Sequence, residues 1–485
     1  MKLLLRRAAV LLVLIVSLVF GMSIFLTKYF TKAPQWANYP ANKHLYANGK
    51  SISSGIIYDR HDNVLYKMTD GSVEFHRNKT VRTALMHATG DLKDNVSTGA
   101  ALAFSDKLSG WDFANGSYSF DGKRGGATVE GGGGIKAISD GKTNDAGRTI
   151  MGRGSIALTL DADLCATAYK ALNGRKGTVG VYNYKTGKIL CMVSAPSFDP
   201  QNPPKLEGNP QRYEGAYINR FLSSVYTPGS VFKLVTAAAA IDHIDGIENK
   251  TYQCDGKLNM DGVLVTCPSA HGEVTLEKAL ADSCNTTFGE IACELGGEIL
   301  QEYADMAGFN SALEINGIKT ATGSVDVTDA QGGDLAWAGI GQYTNTANPL
   351  NFMTYMGAIA NDGVRVTPEI LDSRGAFSKL FGPKPERKRI LSSATAEKLG
   401  TMMRNNVVSA YGEGNFKGLE MCAKSGTAEV GDGIRPHSWF AGYLDRDEFP
   451  LAFVVVIENG GAGSKVAGSV AAKVLQAAVD DPSNK

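Results

Sequence analysis

The feature that most constrains this chain is an uncharged apolar run near its amino terminus. Residues Ala8 to Leu26 carry no charged side chain, and Lys2, Arg6 and Arg7 precede them. A helix needs about 20 apolar residues to cross a bilayer, whereas a secretory h-region has only about 7–15 and ends at a small-residue cleavage site. No such site follows, so we expect an uncleaved anchor rather than a removed signal peptide. The preceding basic residues favour a cytoplasmic amino terminus, which would place the rest of the chain outside the cytoplasm.

Length and composition predict an ordinary globular protein beyond this run. The chain has 485 residues, which is too long for one typical domain, and 43% of them are hydrophobic. Lys+Arg and Asp+Glu both number 49, so no net charge attracts nucleic acid, and we predict no nucleic-acid partner. We expect three segments: a cytoplasmic stub with a transmembrane anchor (1–35), a small polar, glycine-rich domain (36–152) and a large domain (153–485).

The large domain has strand signals at both ends and helix signals between them. Such an arrangement predicts an α+β fold in which one antiparallel sheet is flanked by helices. The predicted strands are Ile156 to Leu160, Gly177 to Tyr182, Lys188 to Val193, Glu420 to Lys424, Trp439 to Asp445 and Leu451 to Glu458. The predicted helices are Asp163 to Leu172, Ser230 to Ile241, Thr275 to Asp282 and Val470 to Val479.

The first candidate catalytic motif is Ser230-Val231-Phe232-Lys233, which follows a Pro228-Gly229 turn. Side chains three residues apart share a helix face, so Lys233 can reach the Ser230 hydroxyl. A serine alcohol needs an adjacent base to become a nucleophile. Lysine serves as that base only when burial or nearby positive charge lowers its pKa. The motif therefore predicts Ser230 as nucleophile, with Lys233 as its base and the helix amino terminus as an oxyanion donor.

Two further motifs follow in the chain. Ser283-Cys284-Asn285 offers a hydroxyl that can relay a proton and an amide that can hold the lysine ammonium. Lys424-Ser425-Gly426-Thr427 is predicted to end a strand. Its lysine adds a positive charge that keeps Lys233 neutral and attracts a carboxylate. Gly426 allows a substrate backbone to approach closely, and the N–H of Thr427 is a second oxyanion donor.

Each of these motifs alone has a structural explanation. A serine that opens a helix is usually an N-cap, a Ser/Asn pair usually caps helix ends, and a strand-end lysine is usually solvated. Chance copies also occur, namely Ser139-Asp140-Gly141-Lys142 in a glycine-rich stretch and Lys185-Thr186-Gly187 in a hairpin. Only the ordered set of three motifs in matching structural settings predicts a catalytic serine site.

The seven cysteines cannot form a complete disulfide framework, because their number is odd. Cys254 and Cys267 bracket a hairpin-like segment, where they either pair in an oxidising compartment or are simply packed. The remaining cysteines outside the second motif lie among apolar residues and are predicted to be small core side chains: Cys165, Cys191, Cys293 and Cys422.

The three motifs together resemble those of penicillin-binding proteins and class A β-lactamases. The chain is similar to a class B penicillin-binding protein, a monofunctional peptidoglycan D,D-transpeptidase. The similarity extends from about residue 55 to the end of the chain. It rests further on the segments Gly55 to Arg60, Leu158 to Asp161, Ser194 to Pro200, Gly341-Gln342, Ile359 to Gly363 and His437 to Tyr443.

The resemblance implies a penicillin-binding/transpeptidase fold, with 36–152 as a pedestal or dimerisation-like domain and 153–485 as the transpeptidase domain. Ser230 would attack a stem peptide ending in D-Ala-D-Ala, release D-Ala and pass the acyl group to a neighbouring amine. Lys233 would be the base, and Ser283 and Asn285 would relay protons and contact amides. Ser425, Gly426 and Thr427, with Lys424, would bind the carboxylate and flank the oxyanion hole. β-Lactams would acylate Ser230, and no metal or organic cofactor is needed.

Three features qualify this resemblance. Ser425 stands where many family members have threonine, and Cys284 lies beside the cleft with no assigned role. The roughly 115 residues before the transpeptidase domain are too few for the glycosyltransferase domain of class A members, so a polytopic membrane glycosyltransferase is expected as partner. The alternatives are a D,D-carboxypeptidase, a β-lactamase and, in another class, a non-catalytic β-lactam-binding scaffold.

Overall fold

A computed structural model describes residues 2–37, 55–69, 72–109, 117–121, 126–130, 154–205, 208–372 and 384–484. The chance Ser139 to Lys142 motif lies outside these residues. The α-helices, in chain order, are α1 (Lys2–Ala37), α2 (Lys79–Ala84), α3 (Met86–Thr89), α4 (Ala100–Ala103), α5 (Ser105–Ser109), α6 (Ala162–Leu172), α7 (Pro210–Tyr213), α8 (Arg220–Ser223), α9 (Lys233–His243), α10 (Leu276–Ala281), α11 (Asn285–Leu295), α12 (Gly297–Ala307), α13 (Gly332–Gly339), α14 (Pro349–Ala360), α15 (Ser393–Asn405) and α16 (Gly463–Asp480).

The strands, in chain order, are β1 (Gly55–Tyr58), β2 (Val64–Thr69), β3 (Ser72–Phe75), β4 (Ser117–Asp121), β5 (Gly126–Glu130), β6 (Gly154–Ala157), β7 (Gly177–Asn183), β8 (Ile189–Ala195), β9 (Tyr252–Cys254), β10 (Lys257–Met260), β11 (Val263–Thr266), β12 (Gly272–Val274), β13 (Glu314–Ile315), β14 (Ile318–Lys319), β15 (Val364–Val366), β16 (Arg387–Arg389), β17 (Met421–Ala428), β18 (His437–Leu444) and β19 (Leu451–Ile457). Short 3₁₀ turns cover Gly229–Val231, Glu413–Phe416 and Pro482–Asn484, and a π-helix covers Asn406–Gly412.

The chain divides into two compact units. The smaller comprises 1–58, 64–75 and 92–156, and its described strands form a sheet in the order β3-β2-β1-β6 and a β4–β5 hairpin. The larger comprises 59–63, 76–91 and 157–485. Two short segments that precede residue 153 therefore group with the large unit. The boundary of the predicted pedestal domain at residue 152 stays a prediction.

A five-stranded antiparallel sheet forms the centre of the large unit, in the order β17-β18-β19-β7-β8. Its middle strand β19 is buried along its whole length, which accounts for its uninterrupted apolar sequence. Adjacent side chains of β18 point to opposite faces. Trp439 contacts Phe352 of α14, and Phe440 lies against Gly468 of α16. Helices therefore cover both faces of the sheet, as the α+β prediction expects.

Several predicted elements differ from the observed ones. The predicted strand Ile156 to Leu160 is observed as β6 (Gly154–Ala157), which belongs to the sheet of the smaller unit. The closing helix α16 begins at Gly463 rather than Val470, because small residues let its first turns approach β18. Ser230 lies in a 3₁₀ turn, and the regular helix begins only at Lys233. Strand β17 does not end at Lys424, since Ser425 to Ala428 continue its pairing with β18. The third motif is thus inside a strand, with Lys424 buried rather than solvated.

The amino-terminal helix α1 contains the predicted apolar run. Its segment Val10–Lys28 is long and apolar enough to cross a membrane, and the segment is not buried within the chain. Apolar side chains that remain exposed on every side of a helix need an apolar surrounding other than the protein. The helix is therefore suited to anchor one end of the chain in a membrane.

Breaking the ion pair between Arg220 and Glu458 should be strongly destabilising. Arg220 Nε lies 2.7 Å from Glu458 Oε1, and the two side chains are only 6% and 21% exposed. Removing one partner leaves the other charge buried without compensation, which costs about 3–5 kcal/mol. We expect Arg220→Met to lower the free energy of unfolding by about 3 kcal/mol in urea titrations followed by tryptophan fluorescence.

A matched control is the exposed pair Lys250–Glu294, whose side chains are 39% and 36% exposed. Solvent screens such pairs, so Lys250→Met should change the free energy of unfolding by less than about 1 kcal/mol. Equal effects of the two substitutions would contradict the assignment of a stabilising role to the buried pair.

Candidate active site

The turn that carries Ser230 is held by contacts from two separate parts of the chain. Gly229 has φ of +56°, a conformation that favours glycine, and its N–H donates to the carbonyl of Gly341 at 2.8 Å. The indole N–H of Trp439 donates to the carbonyl of Thr227 at 3.0 Å. These bonds fix the turn from both sides, so Ser230 is presented half-buried at the beginning of the helix that contains Lys233.

Lys233 is fully buried and points at the second motif. Its Nζ lies 2.6 Å from the carbonyl oxygen of Ser283, 3.3 Å from Ser283 Oγ and 2.6 Å from Asn285 Oδ1. Burial lowers the pKa of Lys233 well below its ordinary value, and the positive charge of Lys424 lowers it further. Both effects favour the neutral amine of Lys233, which is the form that can accept a proton.

Ser283 Oγ lies between two lysines. The Nζ of Lys424 donates to it at 3.0 Å, and the Nζ of Lys233 approaches it from the other side. Lys424 is also fully buried, which lowers its pKa to about 7. Ser283 adopts φ of +54°, a strained conformation for a residue with a side chain. Such strain costs on the order of 1–3 kcal/mol and is found most often at functional sites.

The third motif runs alongside the nucleophile turn. A Cβ at Gly426 would come within 2.8 Å of the carbonyl oxygen of Pro228, so only glycine permits this approach. The N–H of Ser425 donates to the hydroxyl of Tyr411 rather than to β18. N–H directions alternate along a strand, so the N–H of Thr427 also points outward from the free edge of β17. This edge is open to an extended substrate backbone.

The three motifs thus converge, although their side chains do not all point to one place. Lys233, Ser283, Asn285 and Lys424 form one connected group through the contacts above, and Ser230 lies in the turn that leads into the helix of Lys233. Ser425 instead directs its hydroxyl to Tyr411 at 3.1 Å, and Thr427 Oγ1 accepts from the N–H of Gly463 at 3.4 Å. The arrangement fits an active-site serine enzyme.

A family model for the penicillin binding protein transpeptidase domain matches residues 177–476. The chain therefore belongs to the penicillin-binding protein transpeptidase family. Within that family it is a class B penicillin-binding protein, a serine-type peptidoglycan D,D-transpeptidase.

Relatives and solved structures agree with this assignment. The peptidoglycan D,D-transpeptidase PbpA of Mycolicibacterium smegmatis is 28% identical over 395 residues, which are 71% of this chain and 78% of the relative. Penicillin-binding protein A of M. tuberculosis, solved as a ceftriaxone acyl-enzyme complex, superposes with a TM-score of 0.71 at 23% identity. That match covers 88% of this chain and 98% of the solved one. A D,D-transpeptidase domain from Eggerthella lenta has a TM-score of 0.66 at 26% identity, with 89% and 99% of the two chains covered.

Sequence reasoning did not identify Tyr411, which lies in the π-helix after α15. Its hydroxyl accepts hydrogen bonds from both the backbone N–H and the side chain of Ser425. No motif marks this tyrosine, because its contact with β17 arises only when α15 packs against that strand. The π-helix, which is rare and frequent at functional sites, is the structural signal for it.

Loss of the Tyr411 hydroxyl should slow acylation while the protein stays folded. Tyr411→Phe leaves the Ser425 N–H without its acceptor, at a cost of about 1–3 kcal/mol, so β17 should shift at the cleft edge. We expect the second-order rate constant for acylation by a fluorescent penicillin to fall about 10-fold. Tyr217→Phe, at an exposed tyrosine, is the control and should leave the rate unchanged. An unchanged rate in Tyr411→Phe would contradict a positioning role.

Proposed function

We propose that Ser230 is the nucleophile through which this D,D-transpeptidase forms peptide cross-links in peptidoglycan. The observation that carries the proposal is the placement of Ser283 Oγ between the buried amines of Lys233 and Lys424. Two buried amines joined by one hydroxyl form a path along which a proton can move. A merely structural role would not require two lysines without exposed surface.

The chemistry proceeds in two steps. Neutral Lys233 accepts the Ser230 proton while Ser230 Oγ bonds to the carbonyl carbon of the penultimate D-Ala of a stem peptide. The outward N–H of Thr427 and the N–H of Ser230 donate to the resulting oxyanion. Ser283 then passes a proton to the leaving amine, the C–N bond breaks, and the terminal D-Ala departs. In the second step an acceptor amine forms a C–N bond to the ester carbonyl carbon and gives up a proton, the C–O bond to Ser230 breaks, and a proton returns to Ser230 Oγ through Lys233.

The side chains around this path have distinct tasks. Asn285 holds the ammonium form of Lys233 through its Oδ1. Lys424 keeps Lys233 neutral at rest and attracts the terminal carboxylate of the substrate, with Ser425 and Thr427 beside it on the same strand. β-Lactams present the same carbonyl and carboxylate as D-Ala-D-Ala, so they acylate Ser230 and stay bound while water is excluded.

Product analysis separates the candidate functions. The full chain in detergent is incubated with a stem pentapeptide ending in D-Ala-D-Ala and with an acceptor amine, and the products are weighed by mass spectrometry. A cross-linked product with release of one D-Ala supports the proposal. A hydrolysed tetrapeptide as the only product would indicate a D,D-carboxypeptidase. A penicillin adduct without any turnover of peptide would indicate a non-catalytic scaffold.

We propose that α1 anchors the chain in the cell membrane in a single pass, with the catalytic domain outside the cytoplasm. The exposed apolar segment Val10–Lys28 and the basic residues Arg6 and Arg7 before it support this orientation. Protease added to intact spheroplasts should digest the catalytic domain. Protection of that domain until the membrane is opened would reverse the orientation.

We propose a polytopic membrane glycosyltransferase as the partner that makes the strands to be cross-linked. The domain between anchor and catalytic domain, 36–152, would be its docking and spacing element. The full chain should co-purify with that enzyme, and deletion of 36–152 should remove the association while penicillin binding is kept. Intact co-purification of the deletion variant would contradict this role of the domain.

A further inference from the structure

Four side chains next to the second motif converge on one point. They are Cys254, Cys267, His271 and Cys284, and their ligand atoms all lie within 4.8 Å of one another. Cys267 Sγ lies 3.8 Å from Cys254 Sγ and 3.8 Å from Cys284 Sγ, and His271 Nδ1 lies 3.3 Å from Cys254 Sγ. All four residues are buried or half-buried. A simple pair of packed thiols would not require a third sulfur and an imidazole at the same point.

These spacings match the edges of a tetrahedron around a zinc ion. Zinc binds thiolate sulfur at about 2.3 Å and imidazole nitrogen at about 2.0–2.1 Å. A tetrahedron with these bond lengths has S···S edges of about 3.8 Å and S···N edges of about 3.5 Å. Three sulfurs and one imidazole are soft and borderline ligands, which favour zinc over magnesium or calcium.

The fold brings the four residues together from different elements. Cys254 ends β9, and the β10–β11 hairpin returns the chain so that the N–H of Cys267 donates to the carbonyl of Gly256. The N–H of His271 donates to the carbonyl of Cys254 at 3.1 Å, which holds the imidazole over β9. Cys284 directly precedes α11. The backbone thus orients these side chains before any ion binds.

The sulfurs also have the outer contacts that a metal thiolate needs. The backbone N–H groups of Asn285 and Thr286 point at Cys267 Sγ, at 3.1 and 3.5 Å. The hydroxyls of Thr286 and Thr287 lie 3.3 and 3.1 Å from Cys284 Sγ. Hydrogen bonds of this kind orient metal ligands and adjust their basicity.

We propose that Cys254, Cys267, His271 and Cys284 bind one structural zinc ion that positions the second catalytic motif. Four protein ligands fill the tetrahedral coordination, so the ion has no open position for water or substrate and takes no part in acyl transfer. Acyl transfer through Ser230 needs no metal, and this zinc site is separate from that chemistry. A zinc site also explains why Cys284 and His271 lie beside Cys254 and Cys267. Neither a disulfide nor simple packing of the two cysteines explains that placement.

The ion acts through the residues on either side of Cys284. Ser283 and Asn285 flank this ligand and contact Lys233. Asn285 Nδ2 donates to the carbonyl of Thr266 at 2.7 Å, directly before the ligand Cys267. The ion therefore joins the end of β11 to the beginning of α11 and holds the strained Ser283 between the lysines. This consequence for acylation rests on the proposed function, whereas the metal content does not.

Metal analysis tests the site independently of activity. The full chain is purified in detergent without chelators or a histidine tag, and its zinc is measured by inductively coupled plasma mass spectrometry. We expect about one zinc per chain and an X-ray absorption spectrum with three sulfur ligands and one nitrogen ligand. Cys254→Ser and His271→Ala should each lower the zinc content at least three-fold. Cys293→Ser, at a half-buried cysteine outside the cluster, should keep it.

The outcomes separate the site from its effect. If the purified chain holds no zinc and takes up none on titration under reducing conditions, the proposal is wrong. A Cys254–Cys267 disulfide in the purified protein would overturn it as well. These results come from the unsubstituted chain, so they hold even if a variant misfolds.

Removal of zinc by a chelator should slow penicillin acylation at least 10-fold, with recovery on zinc addition. Unchanged acylation of the zinc-free chain would refute the positioning role.

Discussion

Ser230→Ala should abolish the covalent adduct that the protein forms with penicillin. Incubation of the full chain with the drug should add one drug mass per chain in the intact-mass spectrum, and the substituted chain should add none. The reason is chemical: a methyl group cannot form the ester that stores the acyl group between the two half-reactions. Cross-linking of stem peptides should be lost to the same extent, by at least about 10⁴-fold.

Ser139→Ala is the matched control, because Ser139 also precedes a lysine by three residues. The sequence around this chance motif is glycine-rich rather than apolar, so its substitution should leave the adduct intact. An adduct that persists in Ser230→Ala would show that another residue is the nucleophile. A drug that is destroyed without an adduct on the unsubstituted chain would indicate a β-lactamase.

Lys233→Arg should slow acylation by about 10³-fold, although the positive charge and much of the side-chain length are kept. A general base typically contributes about 10²–10⁴-fold, and a guanidinium does not lose its proton in proteins. The rate constant for acylation by a fluorescent penicillin, measured by rapid quench, provides the readout. Lys185→Arg, in the chance Lys185 to Gly187 motif, should react at the original rate.

The pH dependence of acylation should follow the neutral form of Lys233. Burial lowers the pKa of this lysine, and Lys424 lowers it further, whereas negative charge on Cys284 or Cys267 acts in the opposite direction. A base works when deprotonated, so the rate should rise with pH and level off well below the ordinary lysine value of about 10.5. Lys424→Gln removes one positive charge, so the rising limb should move to higher pH.

Two results would contradict this assignment. A rate in Lys233→Arg close to that of the unsubstituted chain would mean that another group takes the Ser230 proton. A rising limb that stays at the same pH in Lys424→Gln would mean that the two lysines are not electrostatically coupled. The position of the limb is the informative quantity, because Lys424 also attracts the carboxylate of the drug and so affects its binding.

Much of the fold was predictable because the relevant signals are local. The runs Gly177 to Tyr182 and Leu451 to Glu458 are rich in β-branched and aromatic residues, and both form strands within one residue of the predicted bounds. Pro228-Gly229 predicted a turn directly before Ser230, since proline restricts the backbone and glycine permits a positive φ. The order of the three motifs, together with the further matching segments, made the family recognisable from the sequence.

Prediction from local signals failed where distant contacts override them. The strand was expected to end at Lys424, but pairing with β18 extends β17 to Ala428. Lysine at a strand end is normally solvated, yet Lys424 has no exposed surface. Tyr411 was identified only from its hydrogen bond with Ser425 in the structure. A role for Cys284 could be proposed only because the β10–β11 hairpin places Cys267 beside it.

The sequence by itself determined the apolar amino-terminal helix, the α+β class and the family, and it predicted the groups proposed to carry the chemistry. These properties depend on residue type and on spacing along the chain, so they can be inferred from the sequence without knowledge of distant contacts. The tertiary structure alone decided the burial of Lys233 and Lys424, the strained backbone of Ser283 and the convergence of four metal-ligating side chains. Those properties depend on which distant segments exclude water from a residue and on the atoms they place within hydrogen-bonding distance.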